Sequence, residues 1–218
     1  RVIEMEGRLV ARVGILDRRM HYEGATLRVG AICGVCTDPA FRGRGLLRRL
    51  LEDATGFLRE RAFDVSLLFG EPAYYGGSGW RTLSAFNLST SFPLREGPIP
   101  RVRAFGPQRD GAFLARIHRQ LSARLTGPFL RSDADWRAWV PLRLERGLHR
   151  VHVVEDGGAP AGYFVLRQDG PVCELGWDPQ RPGALETLVR GIFAAVPARP
   201  LTFTFFLPEL FDLLSDLS

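Results

Sequence analysis

Val35-Cys36-Thr37-Asp38-Pro39-Ala40-Phe41-Arg42-Gly43-Arg44-Gly45-Leu46-Leu47-Arg48-Arg49-Leu50-Leu51 is the stretch on which the fold of this chain turns. Its first residues end an apolar run over 29–37, and the lack of polar alternation there predicts a strand buried on both faces. Asp38-Pro39 closes that strand. From Leu46 the period changes. Leu46, Leu47, Leu50, Leu51, Ala54, Phe57 and Leu58 recur three and four residues apart, while Arg48, Arg49, Glu52, Asp53 and Arg59 take the opposite face. A helix is therefore expected, and residues 65–69, Val-Ser-Leu-Leu-Phe, read as a second apolar strand after it. Strand, loop, helix, strand sets two strands side by side and parallel, so the fold class is α/β with a mixed sheet.

The loop Arg42-Gly43-Arg44-Gly45 stands at the start of that helix. There the first amide N–H groups lack intrahelical partners, and the helix dipole leaves partial positive charge. Glycine lets the main chain approach a ligand closely, and Arg42 and Arg44 add charge suited to phosphate oxygens. The pattern suits a diphosphate. A P-loop is excluded because it needs a lysine and the chain has none. A dinucleotide fingerprint needs a third glycine where Arg48 stands, and a first strand where this chain has hairpins.

Outward from this unit, residues 2–5 and 9–16 form an expected hairpin around Glu6-Gly7, and residues 18–28 a further strand pair around Glu23-Gly24. Pro93, Gly97, Pro98 and Pro100 mark a linker, which divides the chain into domains 1–92 and 101–218. Helices are predicted over 111–124 and 133–146, the second with Ser132 as N-cap. Then the first order of elements returns. Strands over 151–154, 161–167 and 172–177, Asp178-Pro179, a helix over 184–195 and a strand over 201–206 repeat it, and an internal duplication explains this. The second copy lacks Arg-x-x-Gly-x-Gly and has Pro182 in its loop, so it reads as degenerate and without cofactor.

With 218 residues and 45% apolar content the chain can bury sizeable cores. Its net charge of +5 comes from arginines spread over both halves, which speaks against a nucleic-acid partner. No apolar run approaches the roughly 20 residues of a membrane helix, and the first residues lack a secretion-signal pattern, so a soluble, cytoplasmic protein is expected. Cys33-Gly34-Val35-Cys36 has Cys-x-x-Cys form. Residues three apart in a regular strand point to opposite faces, however, so core packing is the expectation and no metal site is assigned.

Arg42, Gly45 and the flanking strand and helix resemble the cofactor loop of the GCN5-related N-acetyltransferase (GNAT) superfamily, Arg/Gln-x-x-Gly-x-Gly/Ala, with Leu47 in place of the last small residue. Residues 35–48 with Tyr74-Tyr75-Gly76-Gly77-Ser78-Gly79-Trp80 are similar to the tandem-domain enhanced-intracellular-survival (Eis) acetyltransferases. The likeness is close over about residues 29–82 and rests elsewhere on the duplicated layout. It implies two tandem GNAT-like domains, the first beginning at the family's second strand, without the strand and helices that precede it. It implies acetyl-CoA as cosubstrate, held by the main chain of Val35, Cys36 and Thr37 and by the loop Arg42, Gly43, Arg44, Gly45, Leu46 and Leu47. Tyr75 would protonate the departing thiolate, with adjacent Tyr74 as the second candidate. The acceptor would be a primary amine of a small molecule or a lysine side chain, and a homo-oligomer is a further expectation. A catalytically silent acetyl-CoA-binding or scaffold protein is the second reading.

Overall fold

The structure is a computed structural model and describes residues 1–83, 87–91, 93–138, 146–197, 200–205 and 207–217. Two compact units divide the chain: residues 1–83 with 125–130, and residues 84–124 with 131–218.

In the first unit, strands β1 (Val2–Met5), β2 (Arg8–Tyr22), β3 (Ala25–Thr37) and β4 (Val65–Leu67) form one sheet in that order. β1, β2 and β3 are antiparallel neighbours, and β3 runs parallel to β4. Both hairpin turns, Glu6-Gly7 and Glu23-Gly24, place two successive residues at positive φ, the turn type whose twist matches that of paired strands. The break expected between residues 16 and 18 does not exist. β2 and β3 are one long ribbon, and residues 125–130 hold the far part of β2: Leu130 N–H donates to Arg19 C=O (2.8 Å) and Gly127 N–H to His21 C=O (2.8 Å).

Helix α1 (Leu46–Glu60) buries Leu46, Leu50, Leu51, Ala54 and Leu58, the stripe that its sequence period predicts. These side chains pack with Val10, Val13 and Ile32 of the sheet. Gly30 makes the close approach possible, because a Cβ there would stand 2.2 Å from Leu58 Cδ2. β4 stops at Leu67, short of the expected end, and Phe69 lies outside it, 98% exposed. The short helix α2 (Pro72–Tyr75) follows.

The second unit holds β5 (Leu88–Thr90), β6 (Arg101–Ala104), α3 (Pro107–Ser122), β7 (His149–Asp156), β8 (Ala159–Arg167), β9 (Val172–Trp177), α4 (Ala184–Ala195), β10 (Leu201–Phe203) and α5 (Pro208–Leu217). Its sheet has the order β5-β10-β9-β8-β7-β6, with β9 and β10 parallel. The run β7-β8-β9-α4-β10 thus repeats β1-β2-β3-α1-β4 in order and direction. Residues 133–138 are helical, and Ser132 Oγ accepts the Asp135 N–H (3.2 Å) as expected of an N-cap. The remainder of that predicted helix, 139–145, and Phe206 of the predicted last strand lie outside the described residues.

Buried charge fastens α3 to this sheet. Arg103 donates to both Asp110 oxygens (2.7 and 2.8 Å) and to Glu155, while Asp110, 1% exposed, also accepts the Gly106 N–H (2.8 Å). The Arg103 guanidinium holds both carboxyls below their usual range. Among the described residues no helix is long and apolar enough to cross a membrane.

Candidate functional site

Parallel pairing of β3 with β4 covers only Val29, Gly30 and Ala31, opposite Val65, Ser66 and Leu67. Beyond Ala31, β3 runs on to Thr37 hydrogen-bonded to β2 alone among the described residues. Among the described residues no strand pairs with the edge of β3 that faces away from β2 from Ile32 onward. Along that same stretch the β2–β3 register slips: Arg12 lies opposite Cys36, whereas Gly14 lies opposite Cys33. Two steps on β2 match three on β3, so β3 carries a bulge, and Gly34 adopts φ 54° within it. The bulge turns Val35 toward the α1 core, where its side chain packs.

The strand delivers the chain to the loop. Asp38 accepts the Ala40 N–H (2.9 Å) and caps a 3-10 turn over Pro39–Phe41, whose Phe41 is buried. Gly43 (φ 75°) and Gly45 (φ 71°) then take the left-handed conformation, and Gly45 is the N-cap of α1 with no side chain bonded into the first turn. The first main-chain bond of the helix is Arg49 N–H to Gly45 C=O (3.2 Å), so the amides of Leu46, Leu47 and Arg48 point out of the helix end. A left-handed glycine here leaves no Cβ between these amides and a ligand.

The predicted loop residues divide by role. Leu46 is buried and anchors the helix, and Leu47 is partly buried against the core. Arg42 Nε reaches Thr37 C=O at 3.4 Å, and Arg44 lies 4.8 Å over the Phe41 ring with NH2 3.4 Å from Ala40 C=O. Among the described residues neither guanidinium is hydrogen-bonded to the first turn of the helix. Both are exposed and charged beside it.

Tyr75 ends α2, with its ring packed on the α1 core. Its hydroxyl end lies against Gly70: a Cβ there would stand 2.4 Å from Tyr75 Cε2 and 3.2 Å from the phenol oxygen. Gly70 follows β4, which ties Tyr75 to the strand flanking the opening. Tyr74 is 66% exposed. Trp80 Nε1 is buried without a hydrogen-bond partner among the described residues. Sequence reasoning missed Gly70 and the Gly34 bulge, although a lone glycine inside a strand pattern is a bulge signal.

The second unit offers a contrast on the same topology. Among the described residues β9 and β10 pair only at Val172 and Phe203, and Gly183 caps α4 in the left-handed region (φ 72°). Its first turn is compromised, because Ala184 N–H is already bonded to Arg181 C=O (3.2 Å) and Glu186 brings a carboxylate there. At Glu174, on β9, a buried polar network fills the sheet face: Arg131 donates at 2.8 and 2.5 Å and Tyr163 OH at 2.9 Å. Burial, helped by the Arg131 charge and opposed by that of Glu174, pushes His118 down to about 4.

A long antiparallel ribbon, a bulged strand parting from its parallel neighbour and a helix opening on a left-handed glycine form one recognisable arrangement. Residues 1–83 match the family model described as acetyltransferase (GNAT) domain. This is a GCN5-related N-acetyltransferase fold. Solved structures agree: a GCN5-related N-acetyltransferase from Anabaena variabilis superposes with TM-score 0.67 at 16% identity, over 92% of this chain and 54% of its own. One from Kribbella flavida gives 0.63 at 22%, over 94% and 52%, and Eis1 from Mycobacterium abscessus gives 0.66 at 17%, over 94% and 56%. The chain therefore spans about half the length of these GNAT structures. No curated protein matches it in sequence.

Proposed function

We propose that this chain is an N-acetyltransferase that moves the acetyl group of acetyl-CoA directly to a primary amine, built as a tandem pair of GNAT-like domains of which only the first binds the cofactor. The observation that carries the reading is the open edge of β3 ending beside the uncapped, glycine-led N-terminus of α1. The main chain of Val35, Cys36 and Thr37 pairs with the pantetheine arm, and Gly43, Gly45, Leu46 and Leu47 cradle the diphosphate, with Arg42 and Arg44 adding charge.

The acetyl thioester then lies where β3 and β4 part. Attack by a neutral amine forms a tetrahedral oxyanion, for which free amides of the bulged strand are the donors. Collapse breaks the carbon–sulfur bond, and Tyr75 gives its phenolic proton to the thiolate. Small polyamines and lysine side chains are the acceptors to test, following the likeness to the Eis proteins. Thiol release from acetyl-CoA over an amine panel is the assay, with Tyr75→Phe beside the parent. Loss of turnover with retained acetyl-CoA affinity is expected, and a parent that binds acetyl-CoA but releases no thiol with any amine is a silent binding module.

A further inference from the structure

We infer that Cys33 and Cys36 form a redox-active dithiol on the open face of the first sheet, closing to a disulfide that deforms the strand proposed to grip the cofactor. In a regular strand these two residues would point to opposite faces. The bulge at Gly34 abolishes that alternation. Residues directly opposite each other in an antiparallel pair share a face. Cys36 is opposite Arg12 and Cys33 is opposite Gly14, and Arg12 and Gly14, two apart on β2, share a face themselves. Both cysteines therefore project to the same side. The glycine contacts agree, since a Cβ on Gly14 would stand 2.9 Å from Cys33 Sγ.

The side they share faces away from α1. Ile32, adjacent to Cys33, and Val35, adjacent to Cys36, are the residues that pack on the helix. Cys36 is exposed and Cys33 partly so, and both are free thiols. A groove of about 620 Å³ lined by Arg12, Gly14 and Cys36 among others reaches Cys36, which gives a small oxidant access to that thiol. Spacing permits closure: Arg12 and Gly14 lie about 6.6 Å apart along an extended strand. Partners on β3 that keep this spacing stand at the upper edge of the roughly 4.4–6.8 Å between Cα atoms in disulfides, so closure requires the bulged strand to shorten locally. Gly34 between them supplies backbone freedom. Arg12 crosses the bulge, donating from Nε to Gly34 C=O at 3.0 Å, and sets a cation beside the pair.

With hydrogen peroxide as oxidant, one thiolate sulfur attacks a peroxide oxygen and the O–O bond breaks, giving a sulfenic acid and hydroxide. The second sulfur attacks the sulfenic sulfur, the S–S bond forms, and the sulfenic oxygen leaves as water. Two electrons pass to peroxide, and the two thiol protons end in water. Closure draws Cys33 toward Cys36 and tightens the bulge, which moves the amides of Val35 and Thr37. That consequence rests on the acetyl-CoA reading above, whereas the dithiol itself does not.

The whole chain, fully reduced, is treated with hydrogen peroxide, alkylated and cleaved after arginine, so that residues 29–42 form one peptide containing both cysteines and neither flank of Cys173. We expect this peptide two hydrogen atoms lighter and unalkylated, returning to the doubly alkylated form after dithiothreitol. Peptide that stays doubly alkylated, is overoxidised, or is joined to another chain overturns the dithiol. Acetyl-CoA binding is then measured on both forms, and oxidation should weaken it roughly tenfold or more, reversibly. Equal affinity overturns the regulatory part, and no binding by either form, with the disulfide present, overturns the cofactor reading alone. Cys33→Ser, at a position outside the proposed cofactor contacts, should bind acetyl-CoA normally and lose the response to peroxide.

Discussion

A few single residues decide what this sheet can do. Gly45 holds a left-handed conformation at the N-cap of α1, where a β-branched residue would strain the backbone and push a Cβ toward the free amides. Gly70 leaves room for the hydroxyl end of Tyr75, and any larger residue displaces the ring. Tyr75→Phe is expected to lower kcat by about 10²–10⁴-fold while acetyl-CoA affinity stays within a factor of two, as for loss of a general acid. Gly70→Ala should lower kcat by roughly tenfold through misplacement of the same hydroxyl, again with affinity kept. Steady-state kinetics beside calorimetry separates both from a folding defect. At this scale the sequence was legible where one residue type has one use, as with Gly43 and Gly45. Cys33 and Cys36 were misread because their orientation depends on the register with β2, which no local pattern reveals.

Among the elements, α1 was the most readable, since five buried side chains at helical spacing determine both its length and its face. Leu51, wholly buried, should cost about 2–5 kcal/mol as Leu51→Ala in denaturant unfolding. α3 is fastened differently. Arg103→Met would leave the buried carboxylates of Asp110 and Glu155 only their longer ion pairs with the exposed Arg109 and Arg101, and a loss of about 3 kcal/mol is expected in the same measurement. α3 also carries His118, which meets Trp136 edge-on and lies within reach of Ser122, Arg131 and Glu174. Its folded-state value of about 4 is below that of the unfolded chain, so the unfolded state binds the extra proton between the two. Stability is therefore full above about pH 6.5 and declines as pH falls toward 4. His118→Gln should flatten this decline in melting temperature between pH 6.5 and pH 5. The length of β2 and β3 escaped the sequence reading because the partner that holds β2, residues 125–130, lies a hundred residues away.

Across the whole molecule, the order of strands and helices appears twice, and turn glycines with Asp-Pro after the central strand made both copies visible in sequence. β5 and α5 were not foreseen. β5 has three residues and gains its place only by pairing with β10, a contact more than a hundred positions along the chain. α5 was readable in principle, since Pro208 opens it and Leu210 and Leu214 are buried four apart. The two copies share topology and a left-handed glycine before the helix, yet differ in the amides left free and in the charge set beside them. Hydrogen–deuterium exchange of the whole chain with and without saturating acetyl-CoA tests that difference directly. The expected result is slowed exchange at residues 35–37 and 46–48, with no change at 184–187. Unchanged exchange at the first two segments, or protection at 184–187, contradicts the assignment of the cofactor to the first unit.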